Sequence, residues 1–456
     1  MPRTEPGPSP DGVEWVAVAR SQDVTDRPVE VVADDRRYVA FRPAPGAPAA
    51  VVAARCPHRL VRLAHGTVVD GALQCPYHGW RFDDGGRCVM VPSAGPDAAV
   101  PPRAHLPVPR GVREQDGWVW VAPGVASPAD AGPADPDPAE LLTNTHPALA
   151  AGWHPLVLLE ELPADGAAVT ARLLGRDWTV ARAATDGVDG SGVDGSGVDG
   201  SGVEAGSEVG GDAVVVRALT PPEPFAVALR FGLVWVAPQR PATGLLDCPD
   251  DADAGFVGAW LPPERSSSAA GVLAENFLDV AHFPFVHAGT FGAAEEHLVT
   301  PFDVEVGRLE LRSVQDQWFD NPEDPGVATG VRPLRQRRRA TYAFAAPFQL
   351  SLRLEELDAG AVKTIIFVLQ PEDDTSTRIY TKMVLHGIGG VARPGPDVVA
   401  AEVAFEQAVL GEDLRLQRAM TVAGLPLRLR DELHVRSDRS GVALRRVLRR
   451  LTGLDA

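Results

Sequence analysis

Cys56-Pro57-His58 and, sixteen residues further on, Cys75-Pro76-Tyr77-His78 place one thiol and one imidazole in each of two short segments. Two Cys and two His are the donor set of a [2Fe–2S] centre in which His replaces Cys on one iron. The same four residues also fill a tetrahedral Zn²⁺ site, although common zinc fingers pair Cys with Cys and His with His. In the cluster reading the thiolates hold one iron and exposed imidazoles hold the other, so electrons leave at the histidine edge. Cys88 and Cys248 complete the four cysteines and are expected to be ordinary packed residues.

A second constellation lies far downstream. Asp279 and His282 are three apart, so on a helix they share a face. His287 is five beyond His282, and Pro284 between them is expected to break the helix and let His287 swing back. Two His and one carboxylate leave coordination positions open, as iron(II) oxygenases require. The carboxylate has to come from a distant segment, and LGEDLRLQ offers Glu412 and Asp413. Taken alone, a His on an apolar helix face is more often packed than ligating.

The flanking residues separate these readings. CPHRLVRLAHG and CPYHGWRFDDGGRC resemble the two cluster loops of Rieske domains from bacterial ring-hydroxylating oxygenases, over the whole of residues 14–123. Tyr77 stands where the respiratory type of Rieske domain carries an extra Cys, which favours the oxygenase type. ENFLDVAHFPFVHAGTFG resembles the iron-binding helix of the vanillate and dicamba O-demethylase branch. The resemblance implies a [2Fe–2S] cluster on Cys56, His58, Cys75 and His78, and a mononuclear Fe(II) on His282, His287 and Asp413. It implies that Asp279 joins a ligand His to a cluster His of a neighbouring subunit, and that Asn276 stands near the iron without ligating it. It further implies a ferredoxin or flavin reductase as electron donor, a head-to-tail homotrimer, and O₂-dependent hydroxylation, demethylation or related oxidation of a small, often aromatic molecule. A non-catalytic electron carrier built from such modules is the competing reading, and it needs no second metal.

Positioning these residues takes several elements. A chain of 456 residues suggests about three domains. A disordered lead at 1–13 precedes short β-branched segments with Gly, Pro and Asp turns, expected to form an all-β domain over 14–123. A linker is expected at 124–150. Residues 151–240 echo the first domain: WVAVARSQDV at Trp15 returns as WHPLVLLEEL at Trp153, and GWVWVAP at Gly117 returns as GLVWVAP at Gly232. This copy has no Cys/His pairs and instead carries GVDGS three times over 187–201, expected to be a flexible acidic loop. It is therefore read as a degenerate, cluster-free Rieske-like domain. After a linker near 248–258, an α+β helix-grip domain at 259–456 is expected, with an antiparallel sheet under a long helix from about Asp397 to Met420. Pocket residues are expected on the strands from Gln315 to Val384 and near Phe405. A cluster-bearing copy ahead of a cluster-free one departs from ordinary members, where a single cluster domain leads directly into the catalytic domain.

The formal net charge of −18 excludes a nucleic-acid footprint and suits an acidic surface that docks a redox partner. Nowhere do about 18 apolar residues run uninterrupted, and MPRTEPGPSPDGVEW has no signal-peptide pattern, so the protein is expected to be cytoplasmic and soluble.

Overall fold

The computed structural model describes residues 14–124, 136–183, 208–209, 212–291, 297–321 and 324–454. The expected lead at 1–13, the 125–135 part of the linker and the GVDGS segment lie outside the described residues.

The short β-branched runs at the front form ten strands: β1 (Val16–Arg20), β2 (Val29–Ala33), β3 (Arg36–Phe41), β4 (Ala50–Ala53), β5 (Thr67–Val69), β6 (Ala72–Gln74), β7 (Arg81–Phe82), β8 (Cys88–Met90), β9 (Gly111–Gln115) and β10 (Trp118–Ala122). They make three small antiparallel sheets ordered β1-β10-β9, β2-β3-β4 and β5-β6-β7-β8. The two-residue turns at Asp34-Asp35 and Asp116-Gly117 have positive φ throughout, which matches the twist of the strands they join. The two Cys/His segments are loops of one design. In the first, Cys56 N–H donates to the Val61 carbonyl and Leu60 N–H returns to Cys56; in the second, Cys75 donates to Trp80 and Gly79 returns to Cys75. Leu60 and Gly79 hold the left-handed position of their loops, at φ 56° and 66°.

After β11 (Leu141–Leu142) comes a second β unit made of β12 (His154–Leu158), β13 (Val169–Leu173), β14 (Arg176–Arg182), β15 (Glu208–Val209), β16 (Asp212–Ala218), β17 (Ala226–Arg230) and β18 (Leu233–Ala237). Its sheet β12-β18-β17 corresponds to β1-β10-β9, with an irregular register between Pro155 and Val157 where the front unit has one between Ala17 and Ala19. Its hairpin turns, Leu174-Gly175 and Phe231-Gly232, repeat the positive-φ pairs. Trp235 Nε1 donates to the carbonyl of Arg230, five residues back, as Trp120 does to Gln115.

The rest is built on one large antiparallel sheet. Following α1 (Pro249–Ala252), its strands are β19 (Val257–Trp260) and β20 (Glu264–Ser266), then, after α2 (Ala270–Leu278) and α3 (Phe283–Val286), β21 (Asp303–Val306), β22 (Glu310–Asp320), α4 (Pro325–Ala328), β23 (Arg335–Ala345), β24 (Gln349–Glu356), β25 (Val362–Asp373) and β26 (Ser376–His386). The order is β19-β26-β25-β24-β23-β22-β21, with β20 also on β26. The long helix α5 (Pro396–Gln417), the short β27 (Leu425–Pro426) and α6 (Arg439–Thr452) complete it.

Two apolar cores hold this sheet. Leu158, Phe231 and Trp235 of the second unit pack with Ile366, Val368, Tyr380 and Val384. Leu273 and Leu278 of α2 and Leu444 and Leu448 of α6 pack with Tyr342, Phe344, Leu350 and Phe367. Side chains alternate along β25 and β26, so one strand feeds both cores.

Two expected linkers are packed structure. From Pro136 onward the first one folds back: β11 pairs with β27, and buried Asn144 bonds Thr377 and Ala270 N–H. The second contains α1, whose Asp250 accepts from Arg353 and Thr364. Pro- and Asp-rich composition disguised both, because Asn144 and Asp250 find their partners in distant segments of the sheet and α2. Among the described residues no helix is long and apolar enough to cross a membrane.

Candidate metal centres

Helix α2 ends earlier than its apolar pattern suggests. Asp279 is already extended, at φ −92° and ψ 133°, and caps the helix through its N–H to the Asn276 carbonyl. Asp279 and His282 therefore do not share a helix face. Pro284 breaks nothing: it occupies the first turn of α3, where its missing N–H costs no hydrogen bond. The turn at 279–282 achieves the expected convergence by another route. His282 Nε2 lies 3.1 Å from His287 Nε2, and Asp413 Oδ1 lies 3.5 Å and 3.4 Å from the two nitrogens. The three ligand atoms fall within 4.8 Å of one another.

The acidic pair on α5 divides its work because adjacent helical residues point about 100° apart. Asp413 faces the two Nε2 atoms and accepts from Asn276 Nδ2 at 3.2 Å. Glu412 instead takes His287 Nδ1–H at 2.8 Å and the Thr290 hydroxyl at 2.9 Å. A carboxylate only accepts, so His287 carries its proton on Nδ1 and turns the Nε2 lone pair toward Asp413 and His282. Burial works against protonation of His287, but the two carboxylates outweigh it and raise its pKa. A compact pocket opens beside Asp413, lined by Leu273, Asn276, Phe277, Phe367, Thr381 and Leu410 among others. Phe277 and Phe367 stack there at 4.7 Å.

Cys56, His58, Cys75 and His78 also converge. The His58 and His78 rings lie 4.4 Å apart, and Trp80 stacks on His58 at 4.6 Å. Each imidazole gives Nε2–H to a carboxylate, His58 to Asp438 at 3.0 Å and His78 to Asp279 at 2.7 Å. Their Nδ1 atoms are buried without a partner, which is the arrangement two histidines need to offer lone pairs to one iron. Burial pushes the Cys56 thiol up; it also opposes the Cys75 thiolate, where the hydrogen bonds from Cys56 and the Tyr77 and His78 backbone N–H groups outweigh it. The donor set fits a cluster with two thiolates on one iron and two imidazoles on the other.

The imidazoles are not exposed, contrary to expectation: His58 is 1% and His78 2% accessible. The histidine edge is sealed against the C-terminal part of the same chain. Asp279 joins the two centres, accepting from His78 on Oδ2 while Oδ1 lies 3.8 Å from His282 Nδ1. Burial favours its neutral form, but His78 and His282 outweigh that and hold the carboxyl well below the usual range. Around this junction lies an ionic lattice that sequence reasoning missed. Arg59 Nε sits 2.5 Å from Glu275, which also pairs with Arg445 at 2.8 Å, and Arg445 pairs with Glu432 at 2.5 Å. Adjacent charges in a motif gave no signal for it, since Arg59, Glu275, Glu432 and Arg445 come from four separate segments.

Residues 14–109 match the family model described as Rieske [2Fe-2S] domain, and residues 267–453 match vanillate O-demethylase oxygenase C-terminal domain. The chain belongs to the Rieske oxygenase family. Among curated relatives, this Rieske oxygenase is 28% identical to a probable methylxanthine N7-demethylase of Pseudomonas sp. (strain TJI-51), over 48% of this chain and 74% of that one. It is 41% identical to aminopyrrolnitrin oxygenase of Pseudomonas fluorescens, but over only 24% of this chain and 30% of the relative. With dicamba O-demethylase of Stenotrophomonas maltophilia it shares 37% identity over 25% and 33%. The matched part thus spans about a third of the length of two of these three relatives. Among solved structures, NdmA of Pseudomonas putida CBB5 with caffeine covers 94% of the chain and is itself covered for 88%, at 17% identity and a TM-score of 0.40. The Rieske oxygenase cofactors are a [2Fe–2S] cluster and a mononuclear iron.

Proposed function

We propose that the protein is an O₂-dependent oxygenase that hydroxylates, demethylates or otherwise oxidises a small, apolar aromatic molecule, fed with electrons by a ferredoxin or flavin reductase. The observation that carries this reading is the apolar pocket ending on Asp413, directly beside the convergent Nε2 atoms of His282 and His287. Cys56, His58, Cys75 and His78 would hold the cluster, and His282, His287 and Asp413 the single iron. When bound, the cluster stores and passes electrons and the iron activates O₂.

The chain's own residues do the positioning. Glu412 fixes the His287 tautomer, Asn276 restrains Asp413, and Asp279 orients His78 while facing His282. Phe277, Phe367, Leu273 and Leu410 exclude water and present an apolar ring or methyl group to the open side of the metal site. The second β unit supports a duplication in which the inner copy lost its metal loops and became a structural brace on the sheet. Its strand order, turns and tryptophan contacts support that origin. Metal analysis tests the whole: about three irons and two labile sulfides per chain are expected. A value near five irons, or no labile sulfide, refutes the assignment. Substrate-dependent O₂ uptake lost in His282→Ala, with the cluster spectrum kept, tests the division of roles.

A further inference from the structure

We infer that a single chain supplies both halves of the bridged site, so the working unit is one chain whose front domain is docked on its own catalytic domain. This rests on the proposed function. It replaces the arrangement that the resemblance implies, in which a neighbouring copy presents its cluster histidine to Asp279.

Four independent groups of contacts hold the front domain in place. The bridge itself is His78 Nε2–H to Asp279. Beside it, His58 donates to Asp438, whose Oδ1 also lies 3.4 Å from Arg59. Arg59 is 1% accessible and reaches Glu275 and the Leu433 carbonyl across the interface. Backbone groups interlock as well: Leu433 N–H donates to Pro57, Arg62 N–H to Ala419, and Thr421 Oγ1 to the Leu60 carbonyl. Finally, Leu416, Ala419 and Leu433 join the front domain's own apolar core beside Leu63 and Trp80.

The shapes agree with the chemistry. Gly79, next to His78, is filled from outside by the Phe285 ring of α3; a Cβ there would lie 2.1 Å from that ring. A face so closely occupied by its own chain has no free copy to offer a neighbour. The second β unit makes the arrangement reachable. It takes the place in the chain directly ahead of the catalytic domain and is fixed on the sheet, with Tyr380 Oη donating to Leu156 and Gln370 Nε2 to Arg172. The front domain is thereby freed from that place and sits at the iron edge.

Cross-linking tests this. Arg62 donates its N–H to the Ala419 carbonyl across the interface, so Arg62 and the exposed Arg418 that precedes Ala419 are within short reach of each other outside both metal sites, and the four native cysteines are buried. In the holoprotein of the double variant Arg62→Cys/Arg418→Cys, a short bis-maleimide should join residues 62 and 418 while the product still runs as one chain on a denaturing gel. A ladder of covalent dimers and trimers carrying that same cross-linked peptide overturns the inference. Should the variant not accumulate, the wild-type holoprotein decides. The reduced-cluster EPR signal should relax faster when a paramagnetic metal fills the second site, in material sedimenting as one chain. Faster relaxation confined to larger species overturns the inference. Failure of the functional reading looks different, because a chain lacking labile sulfide or second-site metal would still cross-link within itself.

Discussion

Arg59→Met removes the guanidinium that links the two domains and keeps most of its volume. Burial disfavours the charged form of Arg59, yet Glu275, Asp438 and Glu432 outweigh that and raise its pKa, so the native side chain is a fully committed cation. Breaking one partner out of a buried ionic cluster costs ~3–5 kcal/mol, because the remaining charges stay buried. Here the lower end applies. Glu275 keeps Arg445 at 2.8 Å, and Asp438 keeps His58 at 3.0 Å and the Val435 N–H at 2.6 Å. The uncompensated groups are the Leu433 and His58 carbonyls and one face of each carboxylate. A loss of about 3 kcal/mol shifts the docked-to-undocked ratio roughly 150-fold. Hydrogen exchange reads this at Leu433 and Arg62, whose amides donate across the interface. Both should exchange about 100-fold faster in the variant while amides of the large sheet are unchanged. Acceleration under about 5-fold, equivalent to ~1 kcal/mol, would refute the idea that Arg59 holds the domains together.

Gly79→Ala should loosen the same interface, because its Cβ would meet the Phe285 ring at 2.1 Å and φ is +66°; adding Phe285→Ala should restore part of the lost amide protection. Glu412→Gln should weaken metal binding at the second site by ~10–100-fold, measured by chelator competition, since it removes the charged acceptor for His287 Nδ1. Leu410→Trp should fill the pocket and raise KM or abolish substrate-dependent O₂ uptake, with metal content unchanged. The hydrogen bond and charge of Arg42 hold Glu114 at about 2. Its folded pKa lies below the unfolded value of ~4.3, so the stabilisation is present above that pH and is lost as pH falls toward 2. After allowance for solvent screening it amounts to about 1 kcal/mol, and Glu114→Gln should remove that much pH dependence from acid unfolding.

The convergence of the proposed donor residues was legible because chemistry fixes their types and spacing: paired Cys/His segments and two His beside a Pro-containing turn. The route to that geometry was not. The pattern of α2 continues apolar through Val280 and Ala281, and periodicity cannot see that Asp279 caps the helix with its own N–H. The Pro284 reading failed because a proline is as much at home in a first turn as at a break. The echoes WVAVAR/WHPLVL and GWVWVAP/GLVWVAP fall on strands of the same order with the same kind of turn in the two β units, which supports the proposed duplication. Exposure of the imidazoles could not be read, since it depends on Asp438 and Leu433, more than 370 residues away in sequence. Ion-pair lattices assembled from distant segments leave no local trace, and Arg59 looked like any loop arginine.

The sealed imidazole edge constrains traffic into the molecule. A reducing protein arriving from solvent cannot touch His58 or His78 while the domains are docked. It would have to approach another flank of the front domain, away from the face that packs on α3 and the C-terminal segments. A donor footprint mapped by chemical-shift perturbation should fall away from α3 and the C-terminal segments, on surface that stays open throughout turnover.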